Sequence, residues 1–250
     1  MQAEDVKPYD EASPKGQQVE AMFDSIAPAY DFMNTAMTFG MHRRWLRKAL
    51  DKVATTASQP YTGIIDLATG TGDVAFNLAT RYPEASILGV DLSAGMLAVA
   101  RTKLSSADIP AVSRKRIKFE QGDCLDLQYP EESFDLLTIA YGVRNFENLE
   151  KGFKEFYRVL CPGGKCMILE LSVPENSVIR LGYNLYTRTL IPLIGRLISK
   201  DRRAYSYLPE SIAAMPPRMR ITEMLKEAGF SKVEFKSLTL GVVTYYIAEK

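Results

Sequence analysis

The chain has 250 residues, of which 46% are hydrophobic and 24% are charged, as in globular proteins with one large domain or two small ones. A net charge of +1 gives no overall positive field, so nucleic acid is not an expected partner. Three cysteines without a C-x-x-C pair and a single histidine argue against a disulfide framework and a zinc site, and no metal is expected. The N-terminus resembles neither a secretory signal nor a transit peptide, so a cytoplasmic protein is expected.

The first part of the chain predicts helices ahead of the main fold. Residues 1–17 are expected to form a flexible polar tail. Helical spacing of apolar residues then predicts a helix, and it involves Val19, Met22, Phe23 and Ile26. A second helix is predicted after Gly40. Residues 18–57 are therefore expected to form a helical cover over the crevice where doubly wound folds bind ligands.

A glycine-rich stretch, Asp66 to Asp73, separates a short apolar run from a predicted helix. A turn of this kind brings backbone N–H groups close to a ligand. Asp91 ends the next apolar run, at the spacing that suits an acid binding a ribose diol. The stretch therefore predicts a site for a nucleoside-containing cofactor.

The identity of that cofactor depends on Asp66. Gly70, Gly72 and Ala75 also fit the dinucleotide pattern G-x-G-x-x-G/A. Asp66, at the end of the first strand, is expected to point its carboxylate at the ligand, where it would repel a pyrophosphate. It would attract an ammonium and a sulfonium, which favours S-adenosylmethionine.

From residue 61 onward, strands and helices alternate, which predicts an α/β, doubly wound, mostly parallel sheet within a single domain over 18–250. The predicted strands are 62–67, 86–91, 117–121, 134–140, 166–171, 232–238 and 242–248. The predicted helices are 73–82, 94–104, 147–160 and 219–228. Residues 174–217 interrupt this pattern and are predicted to be an insertion after the fifth strand.

Several stretches together are similar to one family. The cofactor motifs are Asp66–Asp73, Asp91, Gly122-Asp123 and Pro162-Gly163-Gly164, as in class I S-adenosylmethionine-dependent methyltransferases. Three narrower stretches are YDFMN at 30–34 leading to GMHRRW at 40–45, YGVRNF at 141–146, and YSYLPES at 205–211. With these, the chain resembles the ubiquinone/menaquinone-biosynthesis C-methyltransferases over nearly its whole length.

The resemblance implies a Rossmann-like, seven-stranded sheet with only the last strand antiparallel. It also implies how the cofactor is bound. The methionine part would approach Gly70, Thr71 and Gly72, and the ribose would bind Asp91. The adenine would lie against Met96, Asp123, Cys124 and the backbone of Ala140. Asp123 and Ala140 stand where some relatives carry asparagine and serine, and residues 215–218 also depart from the family pattern, so the latter receive no role.

The implied reaction is methyl transfer to a ring carbon of a polyprenyl quinol. Stabilisation of the phenolate is the expected contribution of the protein. Arg144 is assigned to the quinol oxygen and Asn145 to orientation, with Tyr141 and Tyr30 as further catalytic candidates. His42, the only histidine, is either the general base or a structural residue at the start of a helix.

The insertion is apolar over residues 178–198, but its arginines and a proline argue against a membrane-spanning helix. It is interpreted as lining a channel for the prenyl tail and touching the membrane surface peripherally, with its arginines near anionic headgroups. The alternative is an ordinary pair of covering helices. A homodimer is left open.

Three functional hypotheses follow. The first is C-methylation of a quinol, with demethylmenaquinol favoured and the benzoquinol of ubiquinone synthesis as the alternative. The second is a nicotinamide-dependent oxidoreductase on the same glycine turn, against which Asp66 argues. The third is a non-catalytic scaffold of a quinone-synthesis complex, against which Arg144, Asn145 and Asp91 argue.

Overall fold

The computed structural model describes residues 3–10, 12–57, 59–106, 109, 111–190 and 202–250. Seven strands form one sheet in the order β3-β2-β1-β4-β5-β7-β6. The strands are β1 Gly63–Leu67, β2 Ser86–Asp91, β3 Ile117–Gln121, β4 Phe134–Ala140, β5 Leu160–Leu171, β6 Lys232–Leu238 and β7 Val243–Glu249.

Strands β1 to β5 pair in parallel, and β7 runs antiparallel to both β5 and β6. The predicted sheet with one reversed strand is confirmed. The chain order along the sheet reverses beside β1, which pairs with β2 on one side and β4 on the other. At such a switch point the loops after the strands diverge and leave a crevice for ligands.

Ten α-helices occur within the described residues, together with short helical turns. They are α1 Lys15–Ile26, α2 Tyr30–Thr38, α3 Met41–Ala54, α4 Asp73–Arg81, α5 Ala94–Ser106, α6 Ala111–Arg114, α7 Leu149–Val159, α8 Ser177–Leu185, α9 Arg202–Ala214 and α10 Arg218–Glu227. A π-helical turn, Tyr186–Leu190, continues α8. Residues 191–201 of the predicted insertion lie outside the described residues.

The sheet is buried on both faces because helices cover both sides. Ile64 and Ile65 are adjacent in β1, point to opposite faces and are both fully buried. Ile64 packs with α3 and α4 through Leu50 and Leu78, whereas Ile65 packs with Phe153 of α7. This two-sided burial explains why the strands are continuous apolar runs rather than alternating ones.

The N-terminal segment differs from the predicted tail. Ala3 and Val6 are buried, and α1 already begins at Lys15. The backbone N–H of Leu149 donates a 2.8 Å hydrogen bond to the Glu4 carboxylate. The prediction of a free tail over 1–17 is therefore wrong for residues 3–10, which pack against the domain. The short buried set, Ala3, Val6 and Pro8, has no helical or strand spacing, so the sequence pattern did not reveal this packing.

A third apolar cluster joins the N-terminal helices to the insertion. Met22 of α1, Met33 of α2, Met96 of α5 and Tyr207 of α9 belong to it. The cluster lies at the strand ends, beside the crevice. Helices α1 and α2 therefore pack with α5 and α9 on this side of the molecule.

Candidate active site

The glycine turn follows β1 and depends on left-handed backbone. Ala68, Gly70 and Gly72 have φ values of 48°, 55° and 86°. A Cβ on Gly72 would come within 3.0 Å of the rings of Phe76 and Phe119. Glycine is therefore required at position 72 for space as well as for conformation.

Asp91 fixes this turn from the end of β2. Its Oδ2 accepts a 2.7 Å hydrogen bond from the Gly70 N–H, and its Oδ1 accepts a 2.9 Å bond from the Ser93 N–H. Burial raises the pKa of Asp91. Each carboxylate oxygen can accept a further hydrogen bond, so the residue can bind a ribose diol while it holds the turn.

A cleft of about 110 Å³ runs past this turn. Its walls include Gly70, Asp91, Met96, Asp123 and Cys124, and also Ala140. Buried Met96 and Cys124 offer apolar contacts to a flat ring, and the two carboxylates can accept hydrogen bonds from hydroxyl and amino groups. These residues fit the adenosine part of S-adenosylmethionine.

Three predicted cofactor residues do not line this cleft. Asp66 is fully buried, and its two oxygens accept hydrogen bonds from the hydroxyls of Thr69 at 2.5 Å and Thr138 at 2.7 Å. The hydroxyl of Thr71 donates to Asp31 at 2.5 Å, and Gly72 caps α4. The expectation that Asp66 points directly at the ligand is therefore wrong, because the threonine hydroxyls hold it below the cleft. Burial raises the pKa of Asp66 to about 7.

The turn after β4 carries the predicted catalytic residues. Tyr141 is left-handed, with a φ of 60°, and a Cβ on Gly142 would lie 2.7 Å from the Cβ of Ala68. The ends of β1 and β4 thus approach closely only because residue 142 is glycine. The chain then forms a 3-10 turn, Val143–Asn145, that presents Arg144 and Asn145.

Arg144 is buried in an ion pair that the sequence analysis missed. Its Nη1 lies 2.9 Å from Oε1 of Glu170, and both side chains are nearly inaccessible. Nη1 also donates to the Tyr141 carbonyl. Burial is the largest single influence and opposes the charge of Arg144, but the Glu170 carboxylate together with Tyr30 and Tyr207 outweighs it, so the pKa of Arg144 is raised. Arg144 is therefore a cation that is fixed in orientation.

Two buried polar atoms at this turn have no hydrogen-bond partner among the described residues. They are Nε of Arg144 and the hydroxyl of Tyr141. Leaving such atoms unpaired costs free energy, so a partner from a bound molecule would be favoured. Burial also raises the pKa of Tyr141, which keeps its hydroxyl protonated and able to donate.

Asn145 connects the turn to the insertion. The hydroxyl of Tyr207, on α9, donates a 3.1 Å hydrogen bond to Oδ1 of Asn145. The Asn145 amide nitrogen lies 3.5 Å from the Tyr141 carbonyl oxygen, at the limit of a hydrogen bond. The structure thus fixes which end of the Asn145 amide faces the turn.

A larger cavity of about 420 Å³ lies beyond this turn. Its lining is mainly apolar and comes from α1, α2, α3, α8 and α9. The cavity and the cofactor cleft share four lining residues, namely Phe23, Tyr30, Tyr141 and Asn145. A ligand in the cleft and an apolar molecule in the cavity would therefore meet at Tyr30 and Tyr141.

His42 lines the cavity but not the cleft. The Thr38 hydroxyl donates to the Asn34 carbonyl at 2.6 Å, so its 2.7 Å contact with Nδ1 of His42 requires a proton on Nδ1. Burial and the neighbouring Arg43 lower the pKa of His42. Thr38 lies about two turns, roughly 12 Å, beyond Tyr30 along α2. His42 therefore contacts the end of α2 that is opposite to Tyr30 and does not line the cofactor cleft.

The sequence analysis missed Glu170, Tyr183, Tyr207 and Lys15 as site residues. Glu170 had a usable signal, since it is an acid within the apolar run of β5. Tyr183 lines the cavity, and burial raises its pKa to about 12. Lys15 is buried against the carbonyls of Arg144 and Phe146, and its local sequence predicts no such contact.

Comparison with known proteins identifies relatives over the whole chain. The model of the ubiE/COQ5 methyltransferase family matches residues 11–250. A demethylmenaquinone methyltransferase of Porphyromonas gingivalis is 44% identical and aligns over 99% of this chain and 98% of its own. A ubiquinone/menaquinone biosynthesis C-methyltransferase UbiE of Geotalea daltonii is 39% identical and aligns over 94% and 97%.

Solved structures share the fold at low sequence identity. The [4+2]-cyclase SpnF has a TM-score of 0.66 at 16% identity, with 95% of this chain and 97% of that chain covered. Phosphoethanolamine N-methyltransferase 2 of Haemonchus contortus, in complex with S-adenosylmethionine, has a TM-score of 0.59 at 18% identity, with 82% and 52% covered. Because one of these is a cyclase, the fold alone does not establish methyl transfer. The family match and the full-length relatives do, and the chain belongs to the ubiE/COQ5 methyltransferase family.

Proposed function

We propose that the protein transfers a methyl group from S-adenosylmethionine to a ring carbon of a polyprenyl quinol, with demethylmenaquinol as the favoured acceptor. The observation that carries this proposal is the junction of a cofactor cleft with a larger, mainly apolar cavity at Tyr30 and Tyr141. Relatives named demethylmenaquinone methyltransferase support the choice of acceptor. Relatives named for both quinones keep a benzoquinol as the alternative.

The apolar cavity suits a substrate whose polar atoms are confined to one ring. The prenyl tail would pack among aliphatic side chains such as Met37, Ile179 and Leu208. The polar side chains of Tyr141, Arg144 and Asn145 line the same cavity. A quinol head would therefore lie at this turn, beside the cofactor cleft.

Arg144 and Tyr141 would act on the acceptor hydroxyl. A phenolic ring carbon becomes more nucleophilic as its hydroxyl loses a proton. The Nε–H of Arg144 and the Tyr141 hydroxyl have no partner in the part of the chain that the structure describes, and they can donate to the developing oxyanion. Since Glu170 fixes the guanidinium before the substrate arrives, little reorganisation is needed during the reaction.

The cofactor residues would hold the other reactant in line. Bound S-adenosylmethionine supplies an electrophilic methyl group. Asp91 and Asp123 would position its adenosine part, and Gly70 would allow close approach of its methionine part. Tyr30, which lines both cavities, would separate the quinol ring from bulk water.

Incubation with S-adenosylmethionine and each demethylated quinol, followed by mass analysis, tests this proposal. The expected result is a mass gain of one methyl group on demethylmenaquinol, with a higher kcat/KM than for the benzoquinol. A higher value for the benzoquinol would reverse the choice of acceptor. Turnover of neither, by enzyme that binds S-adenosylmethionine, would overturn the proposal.

The acceptor side is also proposed to contact the membrane surface, on its cytoplasmic face. Val178, Leu181 and Leu185 of α8 are 77%, 73% and 66% exposed, and Phe39 is 73% exposed. Val178 and Phe39 also line the cavity. Among the described residues no helix is long and apolar enough to cross a bilayer. An exposed apolar face beside an apolar cavity suits transfer of a quinol from the bilayer.

Vesicle binding tests this surface. The double substitution Leu181→Glu and Leu185→Glu should abolish cosedimentation with anionic vesicles at low salt. The matched control is Met219→Glu on α10, which replaces an exposed apolar residue outside α8, with an exposed fraction of 60%. Equal binding by all three proteins would exclude α8 as the contact. The arginines expected near the headgroups are Arg188, Arg196 and Arg203. The side chains of Arg188 and Arg196 lie outside the described residues, whereas Arg203 donates a 2.8 Å hydrogen bond to the Tyr9 carbonyl.

A further inference from the structure

Lys15 is a buried lysine whose ammonium is directed at backbone carbonyls. Its exposed fraction is 2%, and Nζ lies 2.6 Å from the Ala3 oxygen, 3.1 Å from that of Phe146 and 3.3 Å from that of Arg144. An ammonium has three donors, so all three contacts are hydrogen bonds only when Lys15 is protonated. Removing a charge from water for carbonyl contacts is costly, which points to a role of Lys15 beyond packing.

The carbonyls that Lys15 contacts belong to two different segments. Ala3 belongs to the N-terminal segment, which packs through Val6 and the Glu4 hydrogen bond to Leu149. Arg144 and Phe146 belong to the turn after β4 that presents the candidate catalytic side chains. Lys15 therefore fastens the N-terminal segment to that turn.

Lys15 also begins the helix that covers the cofactor cleft. Gly16, Glu20 and Phe23 of α1 line the cleft. At the other end of α1, Asp24 accepts hydrogen bonds from the Ser93 hydroxyl at 2.5 Å and the Gly95 N–H at 2.8 Å. Helix α1 is thus attached on both sides of the cleft, after β4 through Lys15 and after β2 through Asp24.

The cleft of about 110 Å³ under α1 is small for a nucleoside ligand, since sites for small molecules usually hold roughly 300–1,000 Å³. A cofactor in this cleft would therefore pack against α1, whose residues Gly16, Glu20 and Phe23 line it. A shift at its first residue would disturb the contacts of Lys15 with the turn. Cofactor binding and the arrangement of the catalytic turn are then not independent.

We propose that Lys15 is a positioning residue that couples the seating of α1 over the cofactor to the ordering of the turn that carries Arg144 and Asn145. It acts through backbone carbonyls and touches neither reactant. Cofactor binding would thereby prepare the acceptor side, so that the turn is fully ordered only when the cleft is filled. The effect on turnover rests on the proposed methyl transfer, whereas the effect on the turn does not.

Hydrogen exchange and turnover of the full-length protein together test the coupling. In the wild type, S-adenosylmethionine should slow amide exchange at Asn145 and Phe146. In Lys15→Met, which keeps length but removes the donors, this slowing should be lost and kcat should fall about tenfold. The matched control, Lys151→Met, replaces an exposed lysine on the neighbouring helix α7 and should behave as the wild type.

The pH dependence separates positioning from a purely structural role. Burial is the main cause that lowers the pKa of Lys15 to about 8. The positive charge of Arg144 also lowers it, whereas the carboxylates of Glu4, Glu147 and Asp5 raise it. Above that pH the wild type has the neutral amine and only two donors. The ratio of the Lys15→Met kcat to the wild-type kcat should therefore rise towards one as the pH passes 8. A merely structural lysine would give a constant ratio.

A second variant decides the matter if Lys15→Met does not fold. Glu4→Gln can still accept from Leu149 but removes the negative charge that favours the Lys15 ammonium. It should move the loss of amide protection at Asn145 and Phe146 to lower pH. Glu150→Gln, at an exposed site on α7, is its control.

These outcomes separate the inference from the proposed function. If the wild type methylates no quinol but the exchange at Asn145 and Phe146 responds as described, the proposed function fails and the coupling stands. If Lys15→Met or Glu4→Gln matches its control in exchange and pH dependence, the coupling is overturned, whatever the acceptor.

Discussion

The cofactor cleft and the acceptor cavity share a wall, yet they are built from contacts of very different range. Asp91 binds the backbone of Ser93, 2 residues away, and of Gly70, 21 residues away. On the acceptor side, Tyr207 reaches Asn145 across 62 residues, and Lys15 reaches the Arg144 carbonyl across 129. The turn at the base of the cofactor cleft is therefore a local property of the strand ends, whereas the acceptor side and the cover of the cleft by α1 form only after distant segments have packed.

This difference suggests that the two sides can be damaged separately. Substitutions at the cofactor cleft should change cofactor affinity, and substitutions at the turn after β4 should change turnover. Lys15 is the exception that we propose, because it connects the two sides. Four variants test the separation.

The largest effect is expected for Arg144→Ala. Loss of a fixed donor to a developing oxyanion typically lowers kcat about 100- to 1,000-fold. Affinity for S-adenosylmethionine, measured by calorimetry, should stay near that of the wild type, because Arg144 does not line the cofactor cleft. This change leaves the buried Glu170 carboxylate without its cation, so the control is the double variant Arg144→Met with Glu170→Gln. If Arg144→Ala turned over at the wild-type rate, Arg144 would be structural.

The complementary change is Asp91→Ala. It removes the ribose acceptor and the partner of the Gly70 N–H, so cofactor affinity should fall by about 1–3 kcal/mol. At saturating cofactor, kcat should fall less than in Arg144→Ala. Calorimetry on the folded variant, checked by its circular dichroism, gives the affinity. An unchanged affinity would show that Asp91 only holds the turn.

A smaller effect is expected for Tyr207→Phe, which deletes only the hydroxyl that orients Asn145. The lost hydrogen bond should reduce kcat/KM for the acceptor by about 0.5–1.5 kcal/mol in transition-state free energy. Tyr129→Phe is a suitable control, since it loses a hydroxyl contact to Glu120 away from the site. Equal kinetics for both variants would show that Tyr207 of α9 does not orient Asn145 for the reaction.

The smallest effect is expected for His42→Asn. His42 lines the acceptor cavity but not the cofactor cleft, and its Nδ1 is hydrogen-bonded to Thr38, so it is not expected to abstract a proton beside the reacting carbon. The loss in kcat should stay well below the roughly 100-fold or greater loss that removal of a general base causes. The pH profile of kcat should also keep its shape. A large loss of kcat with an altered pH profile would identify His42 as the base and contradict the assignment of Arg144.

The same difference in range explains what the sequence could predict. The seven strands and the location of Asp91 in the cleft follow from short patterns, in which a strand, a turn and a helix are adjacent in the chain. The expectation for Met96 and Asp123 came from the family resemblance, and both residues line the cleft. Glu170 was predictable in principle, as an acid in a buried strand that ends beside Arg144.

Other parts were not predictable from local patterns. Asp66 was misjudged because its position at a strand end does not reveal that Thr69 and Thr138 already occupy its oxygens. The packing of residues 3–10 depends on Lys15 and on Leu149, which begins helix α7 far along the chain. Such contacts become visible only in the assembled fold.

The most direct test of the central claim is the position of the transferred methyl group. The enzyme would be incubated with demethylmenaquinol and S-adenosylmethionine that carries an isotopically labelled methyl group, and the product examined by nuclear magnetic resonance. A ring carbon at the junction of the two cavities, activated through its neighbouring oxygen, predicts a label bonded to carbon. A label bonded to the quinol oxygen would contradict the account, because Arg144 and Tyr141 would then have failed to direct the reaction to the ring.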